Sequence, residues 1–132
     1  MLQDAFNAVR EFHYHKGIAP VQEFPTTRYT DRPYSQHAGW LLDNAVKYMR
    51  DAAENLEHQD KDDPRTMRMH LILEECAECI SAMMAGDEEL ALDGLLDLIF
   101  VCVGAGVVFD WPMDEGFYEV WRSNMTKGRT DK

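Results

Sequence analysis

Residues 64–108 read PRTMRMHLILEECAECISAMMAGDEELALDGLLDLIFVCVGAGVV, and this stretch decides the fold. Asp63 and Pro64 have the form of an N-cap followed by proline at the first helical position. The helix they open runs to about Ala85, where Gly86-Asp87 closes it. A second apolar helix covers about Glu88 to Val108. In the first helix Met69, Ile72, Leu73, Cys76, Cys79, Ile80 and Met83 recur at three and four residues, the spacing of a buried stripe. In the second, Leu92, Leu96, Ile99, Phe100, Val103 and Val107 form the corresponding stripe. Helices joined this shortly pack antiparallel.

Helical periodicity continues on both sides. Leu2 to about His15 places Phe6, Val9, Arg10 and His13 at helical intervals, and Gly17 ends the run. Residues 18–34 contain Pro20, Pro25 and Pro33, so a long loop is expected there, of the functional or mobile kind. From about Ser35 to Leu56, Leu42, Ala45, Val46, Met49, Ala52, Ala53 and Leu56 form one apolar stripe, broken by the polar run 58–63. Asp110-Trp111-Pro112 is a turn, Pro112 opens a fifth helix to about Asn124, and the tail from Thr126 is polar. No repeat, low-complexity segment or hairpin signal is visible. The expectation is one all-α domain over residues 1–132: a bundle of about five helices with a four-helix-bundle core.

The chain has 132 residues, with 45% hydrophobic and 28% charged, which excludes a disordered chain or a disulfide-dense mini-protein. Thirteen Lys and Arg stand against 24 Asp and Glu, a net charge of −11. Such a surface repels nucleic acid and anionic membranes, so neither is an expected partner. An anionic substrate needs a cation to mediate. No run approaches the ~18 consecutive apolar residues of a membrane helix, and no signal peptide is expected from residues 1–10. Three cysteines, an odd count, suggest reduced thiols and a cytoplasmic location. Cys76 and Cys79 lie on the stripe and read as small buried hydrophobes.

The acids of the two central helices point to chemistry. At about 100° per residue from Ile72, Glu75 falls near 300°, Glu78 near 240° and Glu74 near 200°. They share one flank of the stripe, with no Lys or Arg between Met69 and Ala85. Asp93 and Asp97, four apart, border the stripe of the next helix, again with no basic residue between Glu88 and Asp110. Like charges at this spacing repel. Either they form a solvated face, or they converge as an all-carboxylate site for a hard cation such as Mg²⁺ or Mn²⁺.

Glu74-Glu75-Cys76-Ala77-Glu78 has the form E-E-x-x-E, followed by the Asp-bearing apolar helix 93–104. Val9-Arg10-Glu11-Phe12-His13 has the form V-x-x-F-H. Residues 119–127 read EVWRSNMTK. In this order the four segments resemble the all-alpha nucleoside triphosphate pyrophosphohydrolases: MazG, the all-alpha dUTPases and phosphoribosyl-ATP pyrophosphohydrolase. The second family motif is commonly E-x-x-D. With Asp97 as its Asp, the Glu position is Gly94, and Asp93 lies one residue earlier. Trp121 stands where one MazG-like branch has His.

The resemblance implies cleavage of a nucleoside triphosphate between the α and β phosphates, giving the monophosphate and pyrophosphate. It implies Mg²⁺, with Mn²⁺ as a substitute, held by Glu75, Glu78, Asp93 and Asp97. Glu74 is then either a ligand or, like Glu75, a catalytic group that orients water. A homodimer or homotetramer is expected. Arg122, Asn124 and Lys127 either cap the last helix or contact phosphate and sugar. Arg28, Tyr29, Arg32 and Tyr34 in the proline-rich loop are either without a role or clamp phosphate and stack on a base. Phosphoribosyl-ATP hydrolysis is the alternative activity, and a non-catalytic helical interaction protein the alternative class.

Overall fold

In the computed structural model the described residues are 2–127, Leu2 through its backbone only; the expected tail lies outside them from residue 128 on. The described residues form α1 (Leu2–His15), α2 (Gln36–Glu57), α3 (Pro64–Ala85), α4 (Glu88–Val108) and α5 (Met113–Met125). Two 3-10 turns, Tyr29–Asp31 and Pro33–Ser35, interrupt the proline-rich loop. No strand occurs among the described residues.

The helix ends follow their local chemistry. Asp63 caps α3, its Oδ1 accepting from the Arg65 backbone N–H at 2.9 Å. Hydrogen bonds from the Arg65 side chain and backbone hold the Asp63 carboxyl down to about 2. Gly86 ends α3 at φ +75°, the left-handed conformation that glycine accepts without strain.

The chain divides into two compact units, one built on α1 and α5, the other on residues 23–108. In the larger unit α3 packs against α2 on one side and α4 on the other, and α2 and α4 share no comparable contact. Three helices therefore lie in a row. Neither unit alone contains a four-helix core.

The expected stripe of α4 is not the buried one. Ala91, Gly94, Ala105 and Gly106 are buried, whereas Leu92, Leu96, Phe100, Val103 and Val107 are exposed, Phe100 by 79% and Val107 by 71%. Ile99 is half-buried. The reason is how closely the backbones approach. A β-carbon at Gly94 would stand 3.0 Å from the Cys79 Cα and 3.2 Å from its N. Only the smallest side chains fit between α3 and α4, and the bulky ones turn outward.

The stripe of α3 is likewise redistributed. Thr66, His70, Ala77, Cys79 and Ala82 are buried; Ile72, Leu73, Cys76 and Ile80 are half-buried; Met69 and Met83 are exposed. A helix flanked on two sides buries two lines of residues rather than one. The α2 stripe behaves closer to expectation, with Val46 and Ala53 buried and Leu42, Met49 and Leu56 half-buried.

The loop before α2 is held at two points. Thr30 packs against Gly39, leaving no room for a β-carbon there, and the Thr26 and Thr27 backbone packs against Gly86 in the same way. In the smaller unit α1 packs on α5 and Phe12 is buried. Lys16 Nζ donates to the carbonyls of Met125, at 3.0 Å, and Lys127.

Candidate active site

Glu75 sits half-buried on α3 with its Oε2 buried and without a hydrogen-bond partner. Burial raises its pKa above the ordinary carboxylate value, and the charges of Asp97, Glu78 and Glu74 and a side-chain hydrogen bond with Glu78 raise it further. Of the five acids singled out from the sequence, Glu74 and Glu78 from α3 and Asp97 from α4 therefore act on Glu75. Asp93 is absent from this group. It lines a separate surface depression with Asp87, Glu89 and Leu92. Asp93 nonetheless lies one turn from Asp97 on nearly the same face of α4, about 40° round. The buried Gly94 at the helix contact leaves no space for a glutamate in the position the E-x-x-D pattern assigns.

The donor set suits a hard divalent cation in kind. It is all carboxylate oxygen, it includes the buried Glu75 Oε2 that no hydrogen-bond donor reaches, and no Lys or Arg lies between Met69 and Ala85 to neutralise it. Among the described residues no three His, Cys, Asp or Glu side chains stand as a ready ligand group. Glu74, Glu75, Glu78 and Asp97 are the residues that would hold such an ion.

The other residues singled out from the sequence fall in several places. Arg28 lines a cavity of about 320 Å³ between α2, α3 and the loop. Arg32 instead folds onto Tyr34, donating to its hydroxyl at 2.9 Å. Arg122, Asn124 and Lys127 belong to the α1–α5 unit. Arg122 pairs with Glu119 at 2.8 Å, and Asn124 lines an apolar cavity of about 190 Å³ with Phe12, Phe117 and Trp121. The Trp121 Nε1 is buried without a partner. Cys79 is buried, its thiol pushed up by burial, then by Cys76; Cys76 is half-buried and Cys102 exposed.

Sequence reasoning missed His70. Its buried ring spans two helices: Nδ1 lies 2.6 Å from the Ala53 carbonyl of α2, and Nε2 lies 3.3 Å from Glu74 Oε2. A carbonyl only accepts, so Nδ1 carries the hydrogen. The four-residue spacing of His70 and Glu74 was the available signal. Lys47, Arg50 and Ser81, which share the cavity of Arg28, were also missed.

Residues 47–124, more than half of the chain, match the phosphoribosyl-ATP pyrophosphohydrolase family. No curated protein and no solved structure matches the chain. The matched span contains the whole α3–α4 pair with Glu74, Glu75, Glu78 and Asp97. The chain belongs to the phosphoribosyl-ATP pyrophosphohydrolase family, and with it to the MazG-like all-alpha nucleoside triphosphate pyrophosphohydrolases.

Proposed function

We infer that this chain hydrolyses a nucleoside triphosphate between the α and β phosphates, with Mg²⁺ or Mn²⁺, giving the monophosphate and pyrophosphate. The observation that carries this is Glu75: a buried, unpartnered carboxylate oxygen pressed by three neighbouring carboxylates. Such a group is costly in its ionised form unless a cation sits beside it. A divalent ion held there supplies charge neutralisation for the phosphates and a bound water of lowered pKa. Glu75, Glu78 and Asp97 would hold the ion, and Glu74, beside His70 at 3.3 Å, would accept the proton of the attacking water. The family match favours phosphoribosyl-ATP as a second substrate, since it carries the same α–β bond.

A screen of nucleoside triphosphates and phosphoribosyl-ATP for released pyrophosphate tests the reading. Turnover is expected with Mg²⁺ or Mn²⁺ and is expected to vanish in excess chelator. Full activity in chelator would sink the metal mechanism. No turnover on any of these compounds would sink the reaction.

The exposed face of α4 supports self-association. By length and composition alone α4 could cross a membrane. Asp93 and Asp97 near its middle would cost about 2.5–3.5 kcal/mol each there. A second copy covers the same apolar side chains without that cost, so a homodimer or homotetramer in the cytoplasm is the reading we adopt. Sedimentation is expected to give a multiple of 15.2 kDa. A single-chain mass at micromolar concentration would refute it.

A further inference from the structure

The cavity beside Arg28 differs in charge from the rest of the molecule. Arg28, Lys47 and Arg50 line it, against two acids, Asp43 and Asp51. No ion pair among the described residues engages any of the three cations. In a chain of charge −11, a local excess of one positive charge around a single cavity is unusual.

The cavity is also built rather than incidental. Arg28 stands on the loop between two fixed points: Thr26 and Thr27 against Gly86, and Thr30 against Gly39. Both glycines leave no room for a β-carbon, so the loop approaches α2 and the end of α3 as closely as a chain can. Lys47 and Arg50, three residues apart, share one side of α2. Ser81, on the α3 wall, lies one helical turn beyond Glu78 and two beyond Glu74, on the same face. The α3 wall of the cavity is therefore about one helical turn from Glu78, on the flank that also carries Glu74.

We propose that this cavity is an anion subsite in which Arg28, Lys47 and Arg50 hold the terminal phosphates of the substrate, the half that leaves as pyrophosphate. The proposal rests on the α–β cleavage reading above. Acids on α3 and α4 and cations about one turn further along α3 orient a phosphate chain. The α phosphate comes to the carboxylates and the metal they hold. The departing pyrophosphate keeps its charge matched by guanidinium and ammonium groups.

The test is calorimetric titration with inorganic pyrophosphate at low salt, in EDTA, where neither metal nor turnover contributes. Wild-type protein is expected to bind. Lys47→Gln with Arg50→Gln should weaken binding at least tenfold, as should Arg28→Gln. Asp43→Asn with Asp51→Asn should tighten it. These side chains are exposed, so melting temperatures should change little and a folding defect is separable. Wild-type protein that does not bind, or cation variants that bind as wild type does, would overturn the proposal. Its failure is distinct from failure of the reaction: pyrophosphate binding that falls in the cation variants, in a protein hydrolysing no nucleotide, leaves the subsite standing and removes the cleavage reading. Normal hydrolysis with unaltered binding in those variants does the reverse.

Discussion

Glu75→Gln is expected to lower turnover by about 10²–10⁴-fold and, at neutral pH, to raise the melting temperature. The two effects come from the same carboxylate. Its pKa is raised in the folded chain by burial and by Asp97, Glu78 and Glu74. A group with a raised folded pKa favours folding while it is protonated, and that contribution is lost as pH rises through the folded pKa. Wild type should therefore lose stability relative to the variant as pH climbs above about 4.5, the ordinary value, and through the raised folded value. Gln keeps the shape, removes the charge, and its amide can donate to a neighbouring carboxylate. Mg²⁺ or Mn²⁺ should restore wild-type stability by mass action and affect the variant less. A variant with wild-type turnover, or one whose melting temperature falls in parallel with wild type across this range, would remove Glu75 from the site. Asp97→Asn is expected to lower turnover and to raise the melting temperature more weakly, since it removes one charge acting on Glu75 from an exposed position.

Gly94→Glu, which writes the common E-x-x-D pattern into this chain, is expected to unfold the larger unit rather than improve the enzyme. A β-carbon at Gly94 meets Cys79 at 3.0 Å to Cα, 3.2 Å to N and 3.3 Å to Cβ, and two of these atoms are backbone. Relief requires α3 and α4 to separate along their contact. Gly94→Ala alone should cost about 1–3 kcal/mol by overpacking, although alanine is favoured over glycine by about 1 kcal/mol in an open helix. The glutamate adds a buried charge without a partner. Gly116→Ala on α5 is the control, because nothing lies within 4 Å of a β-carbon there. It should stabilise by about 0.5–1 kcal/mol. Thermal melts of the three variants decide the matter, and a Gly94→Glu protein melting near wild type would refute the close-contact explanation.

The helices were legible because their ends carry chemistry. Asp63-Pro64, Gly86-Asp87, Gly17 and Pro112 mark boundaries that agree with the structure to within a residue or two. The buried face of α4 was not legible. That helix is apolar almost all round, and a pattern without a polar side selects no face; glycine and alanine, weak in any hydrophobic count, took the contact instead. Motif spacing brought Glu74, Glu75, Glu78 and Asp97 forward, and in the structure the charges of the other three reach Glu75. The cavity of Lys47 and Arg50 could not be read from spacing, because it exists only where the loop of residues 23–35 returns to α2 and α3.

The alanine-rich seam of the three-helix row has a calorimetric consequence. Its buried apolar side chains are Val46, Ala53, Ala77, Cys79, Ala82, Ala91 and Ala105, while the large ones of α4 already meet water. Unfolding a single chain thus exposes little new apolar surface. The heat-capacity increment of a lone chain should fall below the ~12–15 cal/mol/K per residue of ordinary globular domains, and its stability curve should be correspondingly flat. Covering Leu92, Phe100 and Val107 with protein would restore curvature, so the shape of the melting endotherm becomes a gauge of how much of α4 is dry.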